Sequence, residues 1–315
     1  MADRARVVFM GTSRFAIPAL RALVEEGYEV REVVTQPDRL AGRTRHPTPP
    51  PVKQVARELG LPVWQPDSLR GQEAFDHLAA LQPEVIVVAA YGEILRRAIL
   101  ALPPKGCLNL HASLLPRHRG PAPVPATILA GDTVTGVTLI QMDEGVDTGP
   151  IVAQREIPLT GQERQDELLE RLAQLAASLL CETLPAWLAG RIVPRPQDEA
   201  LATYCCMLRK VDGEIDWHRP AWYIERMTRA FHPWPGAYTF LGGRMLRILR
   251  ASVLAETRNA PPGTVLVEGD LLVVTTGEGM LRLDELQLEG KRALPASEFL
   301  RGQRGIHGKR LGRTP

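Results

Sequence analysis

The feature that most constrains the fold is a series of short apolar runs separated by amphipathic stretches. Glu84–Ala90 is an apolar run of strand length, which is typical of a strand covered on both faces. The N-terminal part has a βαβ pattern. It consists of an apolar strand at Val7–Met10, a stretch with helical spacing at Pro18–Glu26 and a second strand at Glu29–Thr35. Gly106–His111 is a further short strand. These runs predict an α/β domain built on a Rossmann-like parallel sheet wrapped by helices.

The end of this domain is indicated by a change in composition. Gly136–Met142 and Ile151–Ile157 resemble further strands, and the apolar spacing of Arg164–Leu188 predicts a long amphipathic helix. The chain then becomes rich in proline and charge, which is typical of an extended connection. We therefore predict a first domain over residues 1–190 and a linker over residues 191–204.

The rest of the chain, residues 205–315, changes to short strands punctuated by glycine turns. A helix is predicted over Ala221–Ala230, and Trp217, Phe231 and Trp234 are expected to pack the core of this part. Short strands with glycine turns predict a small, partly open β-barrel of the OB type. The predicted strands are Ala237–Leu241, Leu246–Leu254, Gly263–Glu268, Leu271–Thr275 and Leu281–Gln287.

Composition excludes several classes of protein. Hydrophobic residues make up 44% and charged residues 23% of the chain, which is the balance of a folded globular protein. No run approaches the roughly 18 apolar residues that cross a bilayer, and the N-terminus lacks the features of a signal peptide, so we expect no membrane association and a cytoplasmic location. The four cysteines include no Cys-x-x-Cys pair, and we expect neither a disulfide nor a bound metal. We expect a monomer, because no unusually apolar stretch of the sequence calls for a partner.

Positive charge is concentrated in two regions. Residues 205–315 hold 17 Lys/Arg against 12 Asp/Glu, and residues 291–315 contain a single acid, Glu298. A proline- and arginine-rich stretch, Pro37–Lys53, is long for a connection inside an α/β domain. Both regions suit an anionic partner, although a solvated tail and a solvated loop remain alternatives.

Polar residues follow one of the predicted strands at its carboxyl end. Asn109, His111 and Ser113 occupy alternate positions, so their side chains start on one face. In open α/β sheets this edge forms the ligand crevice. The first strand-to-helix turn, Gly11–Phe15, has one glycine where a dinucleotide fingerprint needs three, which argues against NAD.

Three motifs resemble the signature of the folate-dependent formyltransferases: Asn109–Pro116, Arg119-Gly120 and Gly145–Gly149. The resemblance implies that Asn109, His111 and Asp147 are catalytic and that 10-formyltetrahydrofolate is the co-substrate. It also implies a set of folate-binding residues on three loops. These are Ser113, Leu114, Leu115, Pro116, Ala90, Tyr91, Gly92, Ile94, Leu95, Gln141 and Asp143.

The second half of the chain resembles the methionyl-tRNA formyltransferase family at Gly213–Trp217, Arg229–Ala237 and Glu289–Arg292. This likeness implies that initiator methionyl-tRNA is the acceptor. Basic residues on the long loop and in the C-terminal half are then expected to bind tRNA, namely Arg39, Arg43, Arg45, Lys210, Lys291, Arg292 and Arg304. The sequence departs from the family in the long loop, where Thr44 replaces a glycine, and after Gly120, where Pro121–Pro125 replaces Ala-Ala-Pro-Ile-Gln.

The resemblance also implies a mechanism. The acceptor amine attacks the formyl carbon, and Asn109 with a protonated His111 stabilises the negative oxygen. Asp147 orients and charges His111 and assists proton transfer. A sugar-nucleotide formyltransferase would share the trio but would need neither basic region, and an RNA-binding protein with an inactive folate pocket is the alternative outside enzymes.

Overall fold

Seven strands between Arg6 and Pro158 form one sheet in a computed structural model that describes residues 5–41, 46–254, 256 and 258–313. The chain divides into two compact units. The first unit comprises Met1–Pro123, Val134–Pro158 and Leu168–Cys206, and the second comprises Val124–Thr133, Leu159–Glu167 and Met207–Pro315. No helix among the described residues is long and apolar enough to cross a membrane.

Strands and helices are interspersed in the part of the chain up to Leu188. The strands are β1 (Arg6–Gly11), β2 (Glu29–Val34), β3 (Arg39–Ala41), β4 (His46–Thr48), β5 (Val63–Trp64), β6 (Val85–Ala89), β7 (Cys107–His111), β8 (Val134–Gln141) and β9 (Ile151–Pro158). The helices are α1 (Ile17–Glu25), α2 (Pro51–Glu58), α3 (Gln72–Ala80), α4 (Arg97–Leu100), α5 (Pro123–Ala130) and α6 (Gln165–Leu188). Of these helices, the sequence predicts α1 and α6. Among the described residues, β2 to β4 follow one another without a helix between them, as do β8 and β9.

The large sheet has the order β5-β2-β1-β6-β7-β8-β9. The first five strands in this order are parallel, which confirms the Rossmann-like part of the prediction. β8 and β9 instead run antiparallel to their neighbours, so the sheet is mixed. A short loop, Met142–Pro150, joins β8 to β9, and such a loop can connect only antiparallel neighbours because a parallel pair needs a long crossover.

The central strands are buried because they carry apolar side chains on both faces. The side chains of Val7–Met10 on β1 are fully buried, and β6 is buried along its whole length. Each Val or Ile side chain buried in this way stabilises the fold by about 1.5–3 kcal/mol relative to an exposed one. This core fixes the strand ends from which the loops of the candidate site emerge.

The second unit contains the antiparallel sheet that the sequence predicts, and its fold class is confirmed. The order is β10-β11-β14-β13-β12, with β15 beside β14. Trp217 and Phe231 are buried in this unit, whereas Trp234 is 54% exposed, so the expectation that all three aromatics pack the core is wrong for Trp234. Its elements are α7 (Ala221–Ala230), β10 (Tyr238–Leu241), β11 (Arg244–Leu254), β12 (Val265–Glu268), β13 (Leu271–Thr275), β14 (Met280–Leu288), β15 (Ala293–Pro295) and α8 (Ala296–Arg301).

The predicted linker, residues 191–204, is hydrogen-bonded to the first unit. Arg195 and Ile151 exchange two backbone hydrogen bonds of 2.7 and 2.9 Å, and the Thr203 amide donates to the carbonyl oxygen of Pro116 at 3.2 Å. The compact first unit accordingly extends to Cys206. The functional division into residues 1–190, 191–204 and 205–315 stays a prediction.

Candidate active site

The predicted trio is brought together at the carboxyl end of β7 in the large sheet. Asn109 and His111 lie at alternate positions of β7, and Asp147 reaches them from the loop between β8 and β9. The Asn109 amide nitrogen Nδ2 donates to Oδ1 of Asp147 at 3.2 Å, and Nδ1 of His111 lies 3.5 Å from Oδ2 of Asp147. One of the two Nδ2–H groups of Asn109 is used in this contact, which leaves the second for a ligand.

Both ring nitrogens of His111 face oxygen atoms that can only accept hydrogen bonds. Nε2 lies 2.9 Å from the carbonyl oxygen of His118, and Nδ1 faces the carboxylate of Asp147. A neutral imidazole has one N–H and can satisfy only one of these acceptors, whereas the protonated ring has two. The two contacts therefore fix the orientation of the His111 ring between His118 and Asp147.

The backbone at Asp147 has a left-handed conformation, with φ of 55°. Among residues with a side chain, Asp and Asn adopt this conformation most readily. The Gly120 amide donates to Oδ2 of Asp147 at 2.8 Å, so the carboxylate is held from a second direction. The carboxylate thus joins the Gly120 loop to Asn109 and His111.

The turn after β7 is fixed by a buried threonine on β8. The Thr138 hydroxyl donates to the carbonyl oxygen of Ser113 at 2.7 Å and accepts from the amide of Leu115 at 3.0 Å and from Nε2 of Gln154 at 2.9 Å. Ser113 donates its own hydroxyl to the carbonyl oxygen of Arg117 at 2.6 Å. Ser113 and Leu115 are buried, whereas Leu114 and Pro116 are half-buried, so the predicted contribution of this turn to folate binding falls on Leu114, Pro116 and the backbone.

The second predicted folate loop, Ala90–Leu95, follows β6. Ala90 and Gly92 have positive φ values of 45° and 99°. The side chains of Tyr91 and Leu95 point into the core, and burial raises the pKa of the Tyr91 phenol above its ordinary value. Ile94 instead is 64% exposed, so this loop offers its apolar surface at Ile94 and its backbone elsewhere.

The third predicted folate loop begins at the end of β8. Gln141 is half-buried there, and Asp143 is exposed. Oδ1 of Asp143 accepts hydrogen bonds from the Gly145 amide at 3.0 Å and from the Thr148 hydroxyl at 2.7 Å, which shapes the loop that carries Asp147. The roles of all the predicted folate residues stay predictions.

The predicted tRNA-binding residues are exposed wherever they can be described. Arg39 donates to Oε1 of Gln36 at 3.2 Å, and Lys53 pairs with Asp38 at 2.7 Å, so the ammonium group of Lys53 is already neutralised. Arg43 and Arg45 lie outside the described residues. The four predicted residues of the second unit are exposed. Lys210 lies at the start of a short 3₁₀ helix, Lys291 and Arg292 lie in the turn between β14 and β15, and Arg304 follows α8.

Sequence reasoning missed several residues that support the site. Thr138 and Gln154 have no motif signal, because their roles depend on strand pairing. Arg119 stands in the recognised Arg-Gly pair, yet only the structure shows that its side chain is fully buried and pairs with Glu199. The described residues contain no group of three or more His, Cys, Asp or Glu side chains that could hold a metal ion. Burial raises the pKa of the Cys107 thiol to about 12, which makes it a poor nucleophile.

Two family models match the chain. The model described as formyl transferase matches residues 5–184, and the model described as formyl transferase, C-terminal domain, matches residues 207–304. A methionyl-tRNA formyltransferase of Chloroflexus aggregans is 52% identical over 300 residues, covering 94% of this chain and 97% of that protein. The methionyl-tRNA formyltransferase of Geobacter sulfurreducens is 47% identical, covering 98% of this chain and 96% of that protein.

Solved structures share the fold at low identity. A methionyl-tRNA formyltransferase from Clostridium thermocellum has a TM-score of 0.55 and 20% identity, covering 79% of this chain and 94% of that chain. HypX from Aquifex aeolicus, in complex with tetrahydrofolic acid, has a TM-score of 0.61 and 17% identity, covering 98% of this chain and 49% of that chain. An N-formyltransferase from Helicobacter canadensis, in complex with folinic acid and an amino-sugar nucleotide, has a TM-score of 0.65 and 14% identity, covering 89% of this chain and 98% of that chain. From the family models and the two closely similar relatives, it follows that the chain belongs to the methionyl-tRNA formyltransferase family.

Proposed function

We propose that the protein transfers the formyl group of 10-formyltetrahydrofolate to the free amino group of initiator methionyl-tRNA, giving N-formylmethionyl-tRNA for translation initiation. The observation that carries this proposal is the contact of Asp147 with both Asn109 and His111, at 3.2 and 3.5 Å. Such a cluster offers a hydrogen-bond donor, a cation and an anion within reach of one reacting carbonyl.

Asn109 and His111 have the chemistry to stabilise negative charge on the formyl oxygen. The second Nδ2–H of Asn109 and the positive charge of His111 both favour an oxygen that gains charge as the amine attacks. Removing one such donor usually costs roughly 100- to 1000-fold in rate. The donor molecule supplies an activated formyl carbon bonded to a folate nitrogen, so no covalent bond to the protein is required.

Asp147 serves the proton transfer. Its carboxylate faces Nδ1 of His111 at 3.5 Å and orients the ring. As the new bond from the amine nitrogen to the formyl carbon forms and the bond to the folate nitrogen breaks, the proton released by the amine must reach the departing nitrogen. We propose that Asp147 passes this proton on, directly or through water.

The exposed surface of the site suits a flat heterocycle. Ile94 is 64% exposed and Val146 is 47% exposed, and each lies on a loop that is predicted to bind folate. Ligand sites commonly combine apolar surface of this kind with a few polar groups that set orientation. This apolar surface supports a reduced folate as the ligand.

Charge supports tRNA as the carrier of the acceptor. The surplus of Lys and Arg after residue 205 suits a phosphate backbone, and Lys291 and Arg292 are exposed in one turn. We infer that the protein acts in the cytoplasm, where its acceptor is used, and as a monomer. A sugar-nucleotide acceptor would leave the basic surplus without a role. A binding protein with an inactive folate pocket would leave the intact trio without a role.

The test is formyl transfer from 10-formyltetrahydrofolate to charged initiator methionyl-tRNA, with uncharged tRNA and an amino-sugar nucleotide as parallel acceptors. Transfer to methionyl-tRNA alone supports the proposal. Transfer to the sugar alone keeps the trio and its chemistry but refutes the acceptor. Folate binding without any transfer supports the binding-only alternative.

A further inference from the structure

We propose that Gln197 is a positioning residue for the formyl transfer, because its side-chain amide holds the backbone of the loop that presents Asp147. The inference rests on the catalytic role proposed for Asp147. Gln197 lies between the two family models, which end at residue 184 and begin again at residue 207. Its composition-based interpretation is a linker residue, and its contacts in the structure indicate a different role.

The conformation of Asp147 needs external support. Its φ of 55° is sparsely populated for a residue with a side chain. Such a conformation persists only where the surrounding contacts determine it. Any relaxation at this residue would rotate the carboxylate away from Asn109 and His111.

Gln197 provides that support through two backbone carbonyl groups of the loop. Its Nε2 donates to the carbonyl oxygen of Asp147 at 2.8 Å and to the carbonyl oxygen of Gly149 at 2.7 Å. Its Oε1 accepts from Nε and from a terminal nitrogen of Arg119 at 3.0 and 2.8 Å. Both N–H groups and both acceptor positions of the Gln197 amide are thus used. The partners also determine its orientation, because an amide rotated by about 180° would place Oε1 against the carbonyl oxygens of Asp147 and Gly149.

Arg119 is itself held by several contacts. Its side chain is fully buried, and its remaining N–H groups donate to both carboxylate oxygens of Glu199 at 2.9 and 2.7 Å and to the hydroxyl of Tyr204 at 3.0 Å. All five guanidinium donors therefore have acceptors. A guanidinium held in this way gives Gln197 a fixed anchor.

The residue after Arg119 holds the side chain of Asp147. Gly120, the residue after Arg119, donates its amide to Oδ2 of Asp147 at 2.8 Å. Asp147 is consequently held through its side chain by Gly120 and through its backbone by Gln197. A loss of the Gln197 contact should release the backbone first and weaken the Gly120 contact as a consequence.

Two near-isosteric substitutions separate positioning from simple anchoring of the chain. In Gln197→Glu, the carboxylate still accepts from Arg119 but cannot donate to the carbonyl oxygens of Asp147 and Gly149, and it repels them. In Gln197→Met, similar volume is kept without any hydrogen bond. If Gln197 only fastened its own segment to Arg119, the glutamate variant would remain active.

The kinetic measurement is kcat and KM for the formyl donor and for methionyl-tRNA, at a temperature where each variant is folded by circular dichroism. We expect kcat of Gln197→Glu and Gln197→Met to fall about 100-fold, as for a catalytic group displaced by about 1 Å, with both KM values within about threefold of the wild type. Gln174→Glu, on an exposed position of α6, is the matched control and should keep the wild-type kcat. A glutamate variant with wild-type kcat overturns the proposal.

A second readout does not depend on activity. Hydrogen–deuterium exchange of the Gly120 amide should accelerate at least about tenfold in Gln197→Met, while the amide of Leu115, bonded to Thr138, should keep its rate. Unchanged exchange at Gly120 overturns the inference even if kcat falls. If the wild-type protein fails to formylate methionyl-tRNA, the proposed function is wrong, and the exchange rate still decides whether Gln197 holds Asp147.

Discussion

His111 lies between two acceptors, with Nδ1 3.5 Å from Oδ2 of Asp147 and Nε2 2.9 Å from the carbonyl oxygen of His118. The ring therefore cannot rotate without losing a partner at each nitrogen. Both contacts orient the ring, and one of them is to Asp147, the same side chain that also holds the amide of Asn109. Groups that are oriented before the substrate binds cost no reorganisation during the reaction.

The first prediction concerns the two residues of the trio that are proposed to stabilise the charged oxygen. Asn109→Ala and His111→Ala should each lower kcat by roughly 100- to 1000-fold, since each removes one group that favours the charged oxygen. The affinity for the folate should change little, because the predicted folate loops remain in place. Single-turnover transfer and equilibrium folate binding, measured on the same preparations, check both parts. Wild-type turnover in His111→Ala would exclude the proposed role.

The second prediction concerns Thr138, whose hydroxyl joins the turn after β7 to β9 through three hydrogen bonds. Thr138→Val keeps the shape of the side chain but leaves buried polar groups without partners, which costs about 1–3 kcal/mol of the free energy of unfolding. We also expect KM for the formyl donor to rise about tenfold, the equivalent of roughly 1.4 kcal/mol, while kcat changes less. Urea unfolding and steady-state kinetics measure the two effects.

The control is Thr135→Val on the same strand, where the side chain is also buried but starts on the opposite face of the sheet. It should keep the wild-type KM for the formyl donor. An equal rise of KM in both variants would mean that the effect reflects general loosening of β8 and not the turn at Ser113–Pro116.

Much of the fold follows from the sequence because the central strands carry an uninterrupted apolar signal. β1, β6 and α7 lie within a residue or so of their predicted positions. The helices α2 and α5 escape prediction because each begins with proline, at Pro51 and Pro123, within proline-rich stretches that resemble loops. Proline is nevertheless well suited to the first turn of a helix, where its missing N–H has no partner in any case.

The candidate site can likewise be predicted only in part. Asn109 and His111 can be predicted because alternate residues at a strand end share a face, and their family resemblance adds Asp147. The support at Arg119 and Gln197 could not be predicted, since these residues lie 78 positions apart and meet only after the sheet forms. The prolines at 194 and 196 further suggest a free linker, although proline also fixes an extended backbone that can lie along a neighbouring strand.

The third prediction concerns the exposed turn between β14 and β15. If Lys291 and Arg292 contact phosphates, Lys291→Ala and Arg292→Ala should each weaken tRNA binding and reduce the slope of log affinity against log salt by about 1. kcat at saturating tRNA should be unchanged. Arg292 is 82% exposed, so its replacement should not disturb the fold. Arg70→Ala, also exposed, serves as the control, and an unchanged slope in the first two variants would remove these residues from the interface.

The fourth prediction concerns the stability of the second unit against pH. Burial of the His232 ring, reinforced by the positive charge of Arg164, lowers the pKa of this histidine below its ordinary value, although the nearby carboxylate of Asp166 opposes the effect. A depressed pKa in the folded protein means that the unfolded chain binds the proton more readily. The contribution to stability is therefore complete above the ordinary histidine pKa of about 6.5 and is lost as the pH falls through the lower, folded value. His232→Gln cannot take up this proton, so its free energy of unfolding should fall less than that of the wild type between pH 7 and pH 5.5, whereas the two should run parallel above pH 7. Urea titrations of the full chain across this range measure the difference, and identical slopes below pH 6.5 would show that the proton taken up on unfolding belongs to another group.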